Sequence, residues 1–220
     1  MRPLESRSDS SDKHMTLLIA TTNAGKLREI RGLLAGVPVN LRGLDDYPSV
    51  PEPDETGETF ADNARLKARA YAKALGGQLE AGSLVVAEDS GLAVDALDGE
   101  PGVRSARFLG PAATYAERFE AIERRLAAQP SRPRTARFVC ALAAVELGGS
   151  IAFETSGTVE GIIATVPAGT HGFGYDPIFF HPPLGRTLAE ASDEEKRAVS
   201  HRGQAFRALA AWLAARAPGD

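Results

Sequence analysis

The segment Leu17-Leu-Ile-Ala-Thr-Thr-Asn-Ala-Gly-Lys26 has the order of a buried strand, a tight polar turn and the start of a helix. Such a turn directs backbone N–H groups and the positive end of the helix dipole at one point, where an anion can bind. The lysine adds a full positive charge beside that point. We therefore predict a phosphate-binding loop formed by Thr21, Thr22, Asn23, Ala24, Gly25 and Lys26.

The common P-loop motif does not fit this segment. A P-loop needs glycine at position 20 and serine or threonine at position 27, where this chain has Ala20 and Leu27. On this segment alone, an ordinary strand-to-helix turn with a surface lysine remains an alternative.

Apolar periodicity and capping residues along the chain alternate between strands and helices, which predicts an α/β fold with a mixed sheet. Residues 88–110 are rich in glycine and aspartate, and we expect a loop there. The turn at Gly148-Gly-Ser150 predicts a hairpin between two long strands. We predict strands at about 16–21, 38–42, 84–87, 135–147, 150–166 and 178–180, and helices at about 25–35, 58–75, 114–129 and 203–217, with a further short helix capped by Ser192.

Length and composition limit the class of protein. The chain has 220 residues, of which 43% are hydrophobic and 25% charged, and these values predict one globular domain over residues 15–217. Residues 1–14 are Ser-, Asp- and Arg-rich, and we expect a disordered tail there rather than a secretory signal. No apolar run is long enough for a membrane helix, and the net charge of −4 argues against a nucleic-acid-binding surface.

The single cysteine, Cys140, lies inside the apolar run Phe138-Val-Cys-Ala-Leu142. This context predicts a buried structural thiol rather than a nucleophile. A chain with one cysteine forms no internal disulfide, so we expect a cytoplasmic protein.

Three acidic or cationic features indicate phosphate chemistry. Glu88-Asp-Ser-Gly91 follows the predicted strand 84–87, and ligands of open α/β sheets bind beyond the carboxyl ends of strands. Its carboxylates suit Mg²⁺, as do those of Asp54 and Glu55, although acidic turns are also common without a metal. Lys67 falls on the apolar face of the predicted helix 58–75, where it either reaches past the core to water or enters a polar cleft.

The carboxyl-terminal third carries a second group of polar and aromatic residues. Gly172-Phe-Gly-Tyr-Asp-Pro177 holds aromatic residues between glycines that let a loop approach a ligand closely. Phe173 can stack on a base there, although a tight turn with buried aromatic residues is the alternative. Lys196 and Ser200-His-Arg202 are basic, which alone is typical of a solvated surface.

Together these segments resemble the inosine/xanthosine triphosphate pyrophosphatase family, the hydrolases of non-standard purine nucleoside triphosphates. The matching stretches are Ala20-Thr-Thr-Asn-Ala-Gly-Lys26, Glu55-Thr-Gly-Glu-Thr-Phe-Ala-Asp-Asn-Ala-Arg-Leu-Lys-Ala68, Glu88-Asp-Ser-Gly-Leu-Ala-Val-Asp-Ala-Leu97, Gly172-Phe-Gly-Tyr-Asp-Pro177, and Glu195-Lys196 with Ser200-His-Arg202. They occur in the family's order and span nearly all of residues 16–213. Many members carry Asp where this chain has Glu88, and Glu where it has Asp62.

The resemblance implies a two-lobed domain with a long mixed central sheet flanked by helices, an active-site cleft between the lobes, and a homodimer. It implies Mg²⁺-dependent cleavage of ITP, dITP and XTP to a nucleoside monophosphate and pyrophosphate, with no nucleic-acid or membrane partner. Asp89 would be the general base and a metal ligand, Lys67 would act in catalysis, and Glu55 or Asp54 would share the metal. The triphosphate would be held by Thr21 to Lys26, Lys67 and Lys196, with Ser90 as a further substrate contact, and the base would be held by Phe173, Gly174, Tyr175, Asp176, His201 and Arg202.

Base selectivity follows from donor chemistry. Arg202 only donates hydrogen bonds, and a protonated His201 would donate as well, so both would favour the 6-oxo group of inosine and xanthosine over the amino group of adenine. Rejection of GTP, which also has a 6-oxo group, has no explanation in the sequence. A pyrophosphatase for modified pyrimidine nucleotides and a non-catalytic nucleotide-binding protein remain the alternative functions.

Overall fold

A computed structural model describes residues 14–216 as an α/β structure with one central sheet. The sheet has seven strands in the order β2-β1-β3-β4-β5-β6-β7 within the described residues. The strands are β1 (Met15–Ile19), β2 (Val39–Gly43), β3 (Leu84–Val94), β4 (Thr135–Glu146), β5 (Ile151–Ile163), β6 (Phe179–His181) and β7 (Arg186–Thr187), and the helices are α1 (Ala24–Leu33), α2 (Phe60–Leu75), α3 (Tyr115–Ala127), α4 (Asp193–Val199) and α5 (His201–Ala214).

The sheet is mixed, as the sequence predicted. Strand β1 runs parallel to β2 and to β3, whereas β3 to β7 pair successively as antiparallel neighbours. Strands β4 and β5 form the predicted long hairpin, and the fold class is confirmed. The division into two lobes stays a prediction.

Strand β3 is the main correction to the predicted secondary structure. The predicted strand 84–87 continues to Val94, so the start of the predicted loop 88–110 is wrong. The whole of β3 pairs with β4, from Leu84 opposite Glu146 to Val94 opposite Ala136, and this long hydrogen-bonded partner stabilises a polar segment as strand. Asp89 therefore lies in the middle of a strand, not at its carboxyl end.

Helices cover both faces of the sheet and define its apolar cores. Helix α2 packs on one face, where Ala68 and Tyr71 contact residues of β1, β3 and β4. Helices α1 and α5 pack on the opposite face, where Ile30 and Phe206 join the side chains that include the buried Cys140. A third cluster lies around α3. The thiol of Cys140 is fully buried, as predicted.

Local capping explains where the helices begin. Asn23, Thr59, Thr114, Ser192 and Ser200 each occupy the N-cap position and accept a hydrogen bond from a backbone N–H in the first turn. Thr114 and Ser192 form the predicted capping boxes with glutamates three residues later. The cap at Ser200 starts α5 two residues earlier than predicted.

Two sequence-based expectations concern the ends of the chain and membranes. All but the last residue of the predicted tail 1–14 lies outside the described residues, and so does residue 217 of the predicted domain. Between residues 14 and 216, no helix has both the length and the apolar character needed to cross a membrane.

Candidate active site

The candidate site is a pocket of about 250 Å³ at the point where β3 continues beyond the end of β1. Strand β1 pairs with β3 only as far as Val86, and the next pairing on that side within the described residues is an isolated bridge between Ala93 and Pro101, so no strand covers this edge of β3 from Glu88 to Leu92. Side chains alternate along a strand, so Glu88 and Asp89 point to opposite faces, yet both line the pocket at this open edge. The pocket lies at the carboxyl end of parallel β1, where α/β proteins bind ligands.

The predicted phosphate-binding loop lies at this end of the pocket. Asn23 caps α1, and its side-chain oxygen accepts a hydrogen bond from the backbone N–H of Lys26 at 3.0 Å. Thr21, Thr22, Asn23 and Lys26 line the pocket. The Nζ atom of Lys26 lies 3.1 Å from Oε1 of Glu88. The helix N-terminus and this lysine give the pocket a positive end suited to phosphate oxygens.

Lys67 enters the pocket rather than reaching past the core to water. Its Nζ lies 2.5 Å from Oε1 of Glu55 and 3.1 Å from Oδ1 of Asp89. Burial raises the pKa of Asp89 above its ordinary value, and the charge of Lys67 offsets part of this effect. A carboxylate with a raised pKa is a stronger base than an ordinary aspartate, which suits proton abstraction from water.

The carboxylates around Lys67 fit the requirements of Mg²⁺. This cation binds proteins through one or two carboxylates and completes its shell with water and substrate phosphates. Asp89 and Glu55 converge on one point in the pocket, which Lys67 Nζ marks. Asp54, the other predicted ligand, is exposed and outside the pocket lining. Within the described range, no three His, Cys, Asp or Glu side chains form a ready metal cage, so substrate oxygens would be needed.

A series of alternating charges runs from α1, at the predicted phosphate-binding end of the pocket, to Asp176 at the opposite end. Glu29 of α1 accepts hydrogen bonds from Nζ of Lys196 and from Nη1 of Arg202, both at 2.6 Å. Lys196 also contacts Oδ2 of Asp176 at 2.5 Å. Although burial opposes its ionisation, Arg202 and Lys196 hold the pKa of Glu29 below its ordinary value. These contacts hold Lys196, a predicted triphosphate ligand, and Arg202, a predicted base ligand, in fixed positions.

Nearly all N–H donors of Arg202 form hydrogen bonds with protein partners. Its side chain is 2% exposed and donates to Glu88 from Nε at 3.2 Å and from Nη2 at 3.0 Å. It also donates to Glu29 and to the Ser90 hydroxyl. These four bonds leave a single N–H, on Nη1, without a partner in the described part of the chain. Arg202 therefore has one donor left for a 6-oxo group.

Phe173 connects the two ends of the pocket. The guanidinium of Arg202 lies 5.5 Å and the ammonium of Lys196 lies 4.9 Å from the ring centroid. A Cβ atom at Gly25 would lie 3.0 Å from Cδ1 of this ring, so glycine lets Phe173 pack against the phosphate-binding loop. Asp176 accepts a hydrogen bond from the Phe173 backbone N–H at 2.8 Å, which fixes the turn.

His201 lies at the start of α5, which rests directly on the sheet. A Cβ atom at Gly157 of β5 would overlap the carbonyl oxygen of His201, so glycine allows this close approach. The imidazole stacks on Phe138, with ring centroids 4.9 Å apart. Burial, together with the neighbouring charge of Arg202, lowers the pKa of His201 well below its ordinary value. This direction favours the neutral ring near pH 7, in which only one nitrogen donates, and it therefore disfavours the predicted donation by a protonated His201.

The neutral His201 predicts a pH dependence of stability. Its pKa is lower in the folded state than the ordinary 6.5, so the unfolded state binds the proton first as the pH falls. Below pH 6.5 this group should reduce the free energy of unfolding by up to about 1.4 kcal/mol per pH unit. Urea denaturation of wild type and His201→Gln between pH 5 and 6.5 measures this slope. The variant should lose this component, and equal slopes would contradict the assignment.

Most of the predicted site residues converge in this pocket. Ala24 and Gly25 lie in the first turn of α1 outside the pocket lining, and Asp54 also lies outside it. The predicted residues that line the pocket are Thr21, Thr22, Asn23, Lys26, Glu55, Lys67, Asp89, Ser90, Phe173, Gly174, Tyr175, Asp176, Lys196, His201 and Arg202.

Several residues of the site were not predicted from the sequence. Glu52 lines the pocket and accepts a hydrogen bond from the Thr22 hydroxyl at 3.3 Å. Tyr115 contacts Tyr175 edge-on at the opposite end, with ring centroids 5.3 Å apart. Glu29 binds Arg202 across 173 positions of sequence, so no local spacing indicates it.

Comparison with known proteins agrees with this geometry. The Ham1 family model matches residues 17–212. The dITP/XTP pyrophosphatase of Exiguobacterium sp. is 47% identical over 199 residues, covering 90% of this chain and 97% of that protein. The dITP/XTP pyrophosphatase of Geobacter sulfurreducens is 46% identical over 193 residues, covering 88% of this chain and 94% of that protein.

Solved structures give the same result. The HAM1 protein from Coxiella burnetii has a TM-score of 0.82 and 39% identity, covering 91% of this chain and 99% of that chain. A nucleoside-triphosphatase / dITP/XTP pyrophosphatase from Mycobacterium abscessus has a TM-score of 0.69 and 46% identity, covering 90% and 99% of the two chains. The family resemblance predicted from the sequence motifs is thus confirmed, and the chain belongs to the Ham1 family.

Proposed function

We propose that this protein hydrolyses non-standard purine nucleoside triphosphates, such as dITP, ITP and XTP, to a nucleoside monophosphate and pyrophosphate. One observation carries the proposal. A single pocket joins a phosphate-binding helix N-terminus and a buried carboxylate, Asp89, to an aromatic and cationic end around Phe173. Relatives that share nearly half of the sequence are named dITP/XTP pyrophosphatases, which supports the same substrate class.

The chain's own residues supply binding and proton transfer. Lys26 and the N–H groups of α1 bind the phosphate oxygens and neutralise charge that develops on them. Asp89, with its raised pKa, accepts a proton from the attacking water. Lys67 orients the Asp89 carboxylate through its contact at 3.1 Å and adds positive charge beside the reacting phosphate.

Mg²⁺ fits this site as the cofactor. Asp89 and Glu55 would hold it together with oxygens of the triphosphate, and it would supply charge neutralisation and water activation. Lys67 forms ion pairs with both carboxylates and thereby orients them.

The opposite end of the pocket binds the base. Phe173 offers a ring for stacking, and the remaining Nη1 hydrogen of Arg202 can donate to a 6-oxo group. A neutral imidazole at His201 presents one donor and one acceptor nitrogen, and its buried Nδ1 has no partner in the described residues. Such a mixed donor and acceptor pair suits an oxo-purine edge better than a single charge.

The two alternative functions are less consistent with the site. A non-catalytic binding protein gains nothing from buried carboxylates beside phosphates, because they repel the ligand. The segment from Phe173 to Asp176, which lines the pocket together with His201 and Arg202, is the predicted purine-reading group and argues against a pyrimidine-specific enzyme. We also retain the homodimer and the cytoplasmic location as proposals that follow from the family resemblance.

The proposed activity is tested by pyrophosphate release from dITP, ITP, XTP, dUTP and ATP, each with Mg²⁺ and with EDTA. We expect faster release from the first three than from dUTP and ATP, and release only with Mg²⁺. Bound ATP would leave a buried hydrogen-bond donor or acceptor unpaired, which costs about 1–3 kcal/mol. The value of kcat/KM for dITP should therefore exceed that for ATP by roughly 5- to 150-fold. Preference for dUTP would favour the pyrimidine alternative, and binding without release would favour a binding protein.

A further inference from the structure

Asn63 is a fully buried polar residue of α2 with both ends of its side-chain amide in use. Its exposed fraction is 0%, and Nδ2 donates to Oδ2 of Asp89 at 3.0 Å. Its Oδ1 accepts a hydrogen bond from the backbone N–H of Gly57 at 2.7 Å. The amide thereby connects Asp89, the proposed general base, to the acidic segment that precedes α2.

These contacts close a ring of polar interactions around the reacting carboxylate. Gly57 follows two residues after Glu55, whose Oε1 lies 2.5 Å from Nζ of Lys67. Lys67 contacts Oδ1 of Asp89 at 3.1 Å, while Asn63 contacts Oδ2 of the same side chain. Each oxygen of Asp89 thus has its own donor, and the rotation of the carboxylate is fixed.

The backbone of the acidic segment is adapted to this arrangement. A Cβ atom at Gly57 would lie 2.6 Å from Oδ1 and 2.8 Å from the backbone nitrogen of Asn63. Glycine at this position therefore lets the chain approach the amide closely. A side chain there would push the segment that carries Glu55 away from α2.

Asn63 does not line the pocket, so any effect of this residue on the reaction passes through its neighbours. We propose that Asn63 is a positioning residue, which holds the Asp89 carboxylate in the orientation that hydrolysis needs. The proposal rests on the proposed pyrophosphatase function and extends it to a residue that touches no substrate. Loss of a partner that orients a reacting or metal-binding group typically costs roughly 10- to 100-fold in activity.

Two substitutions of similar shape separate the two contacts of the amide. Asn63→Leu removes both hydrogen bonds, whereas Asn63→Asp keeps an acceptor for the Gly57 N–H and removes the donor to Asp89. We expect kcat for dITP to fall about 10- to 100-fold in both variants, with KM changed less than about threefold, because the binding groups remain in place. A merely structural role would not produce this split between kcat and KM.

The outcomes for the two Asn63 variants lead to different conclusions. A loss of kcat confined to Asn63→Leu would show that only the Gly57 anchor matters, and kcat within about twofold of wild type in both variants would remove Asn63 from the mechanism. Asn40→Leu is the matched control, since Asn40 donates to Thr16 in β1 outside the pocket and its loss should leave kcat unchanged. Thermal melting identifies any variant that is unfolded at the assay temperature.

A readout independent of activity separates this proposal from the proposed function. The side-chain amide resonance of Asn63 in ¹⁵N NMR spectra is assigned by its absence from Asn63→Leu. It should shift in Asp89→Asn, because its hydrogen-bond acceptor changes from a carboxylate to an amide, and it should not shift in Asp98→Asn. An unchanged resonance in Asp89→Asn would overturn the contact itself, whereas a wild type that releases no pyrophosphate would overturn the function and leave the contact intact.

Discussion

Replacement of Asp89 by asparagine should lower kcat for pyrophosphate release from dITP by at least ~10²-fold, the smaller of the effects typical of a lost general base. The amide has nearly the same shape, can still accept a hydrogen bond from Asn63, and cannot take a proton from water. Lys67 keeps its contact with Glu55 at 2.5 Å, so the variant should fold normally. Steady-state kinetics with circular dichroism measures both properties.

Asp98→Asn provides the matched control for this experiment. Asp98 is 84% exposed, lies outside the pocket, and has a left-handed backbone that asparagine tolerates. The control should retain wild-type kcat. Turnover of Asp89→Asn close to that of wild type would exclude Asp89 as the base.

Removal of Arg202 should produce the largest loss of stability of any single substitution proposed for this protein. In Arg202→Ala the buried carboxylate of Glu88 and the partly buried carboxylate of Glu29 each lose a partner, and breaking a buried ion pair costs about 3–5 kcal/mol. Glu88 is most affected because its ionised form depends on Arg202 and Lys26, which hold its pKa well below the ordinary value despite burial. The free energy of unfolding from urea denaturation measures the loss.

Arg207→Ala is the corresponding control on the same helix. Arg207 is exposed and donates to backbone carbonyls of Arg197 and Ala198, so its removal should cost about 1 kcal/mol or less. Neutralising the stranded carboxylate in Arg202→Ala/Glu88→Gln should recover part of the loss. Similar losses in Arg202→Ala and Arg207→Ala would show that the buried pair contributes little to the stability of the fold.

The large effect on stability changes how base selectivity should be tested. Arg202→Ala, assayed with ITP and ATP, is the simplest test of the predicted donor role of Arg202. The structure shows that this variant also removes the partner of Glu88 and Glu29, so a changed substrate ratio would mix recognition with misfolding. Arg202→Lys keeps the positive charge but removes the planar guanidinium and its N–H donors. It is therefore the better variant for measuring the ITP/ATP ratio of kcat/KM.

The sequence predicted most of the fold because its strands and helices have clear local patterns. The capping boxes at Thr114 and Ser192 and the apolar runs of β1 and β4 are signals of this kind. The extent of β3 was missed because Glu88 to Gly91 has the composition of a turn. Its strand conformation depends on pairing with β4, about 50 positions later in the chain, where local patterns carry no information.

The site shows the same division between local and distant information. The turn that leads into α1 and the buried thiol of Cys140 could be predicted because neighbouring residues define them. The roles of Glu29 and Asn63 could not, because each depends on a partner on another element. Both look like ordinary helix residues until the sheet brings Arg202 and Asp89 beside them.

The contact between Gly157 and α5 has a consequence for directed evolution of substrate preference. Position 157 is beneath the helix that carries His201 and Arg202, and any side chain there would have to lift that helix off the sheet. A mutation at this site would alter the spacing of the base compartment without introducing a new group into it. A mutant library designed for altered nucleobase choice should therefore include the positions under the helix as well as the residues that line the pocket. A library confined to the lining residues would not vary the distance between α5 and the sheet.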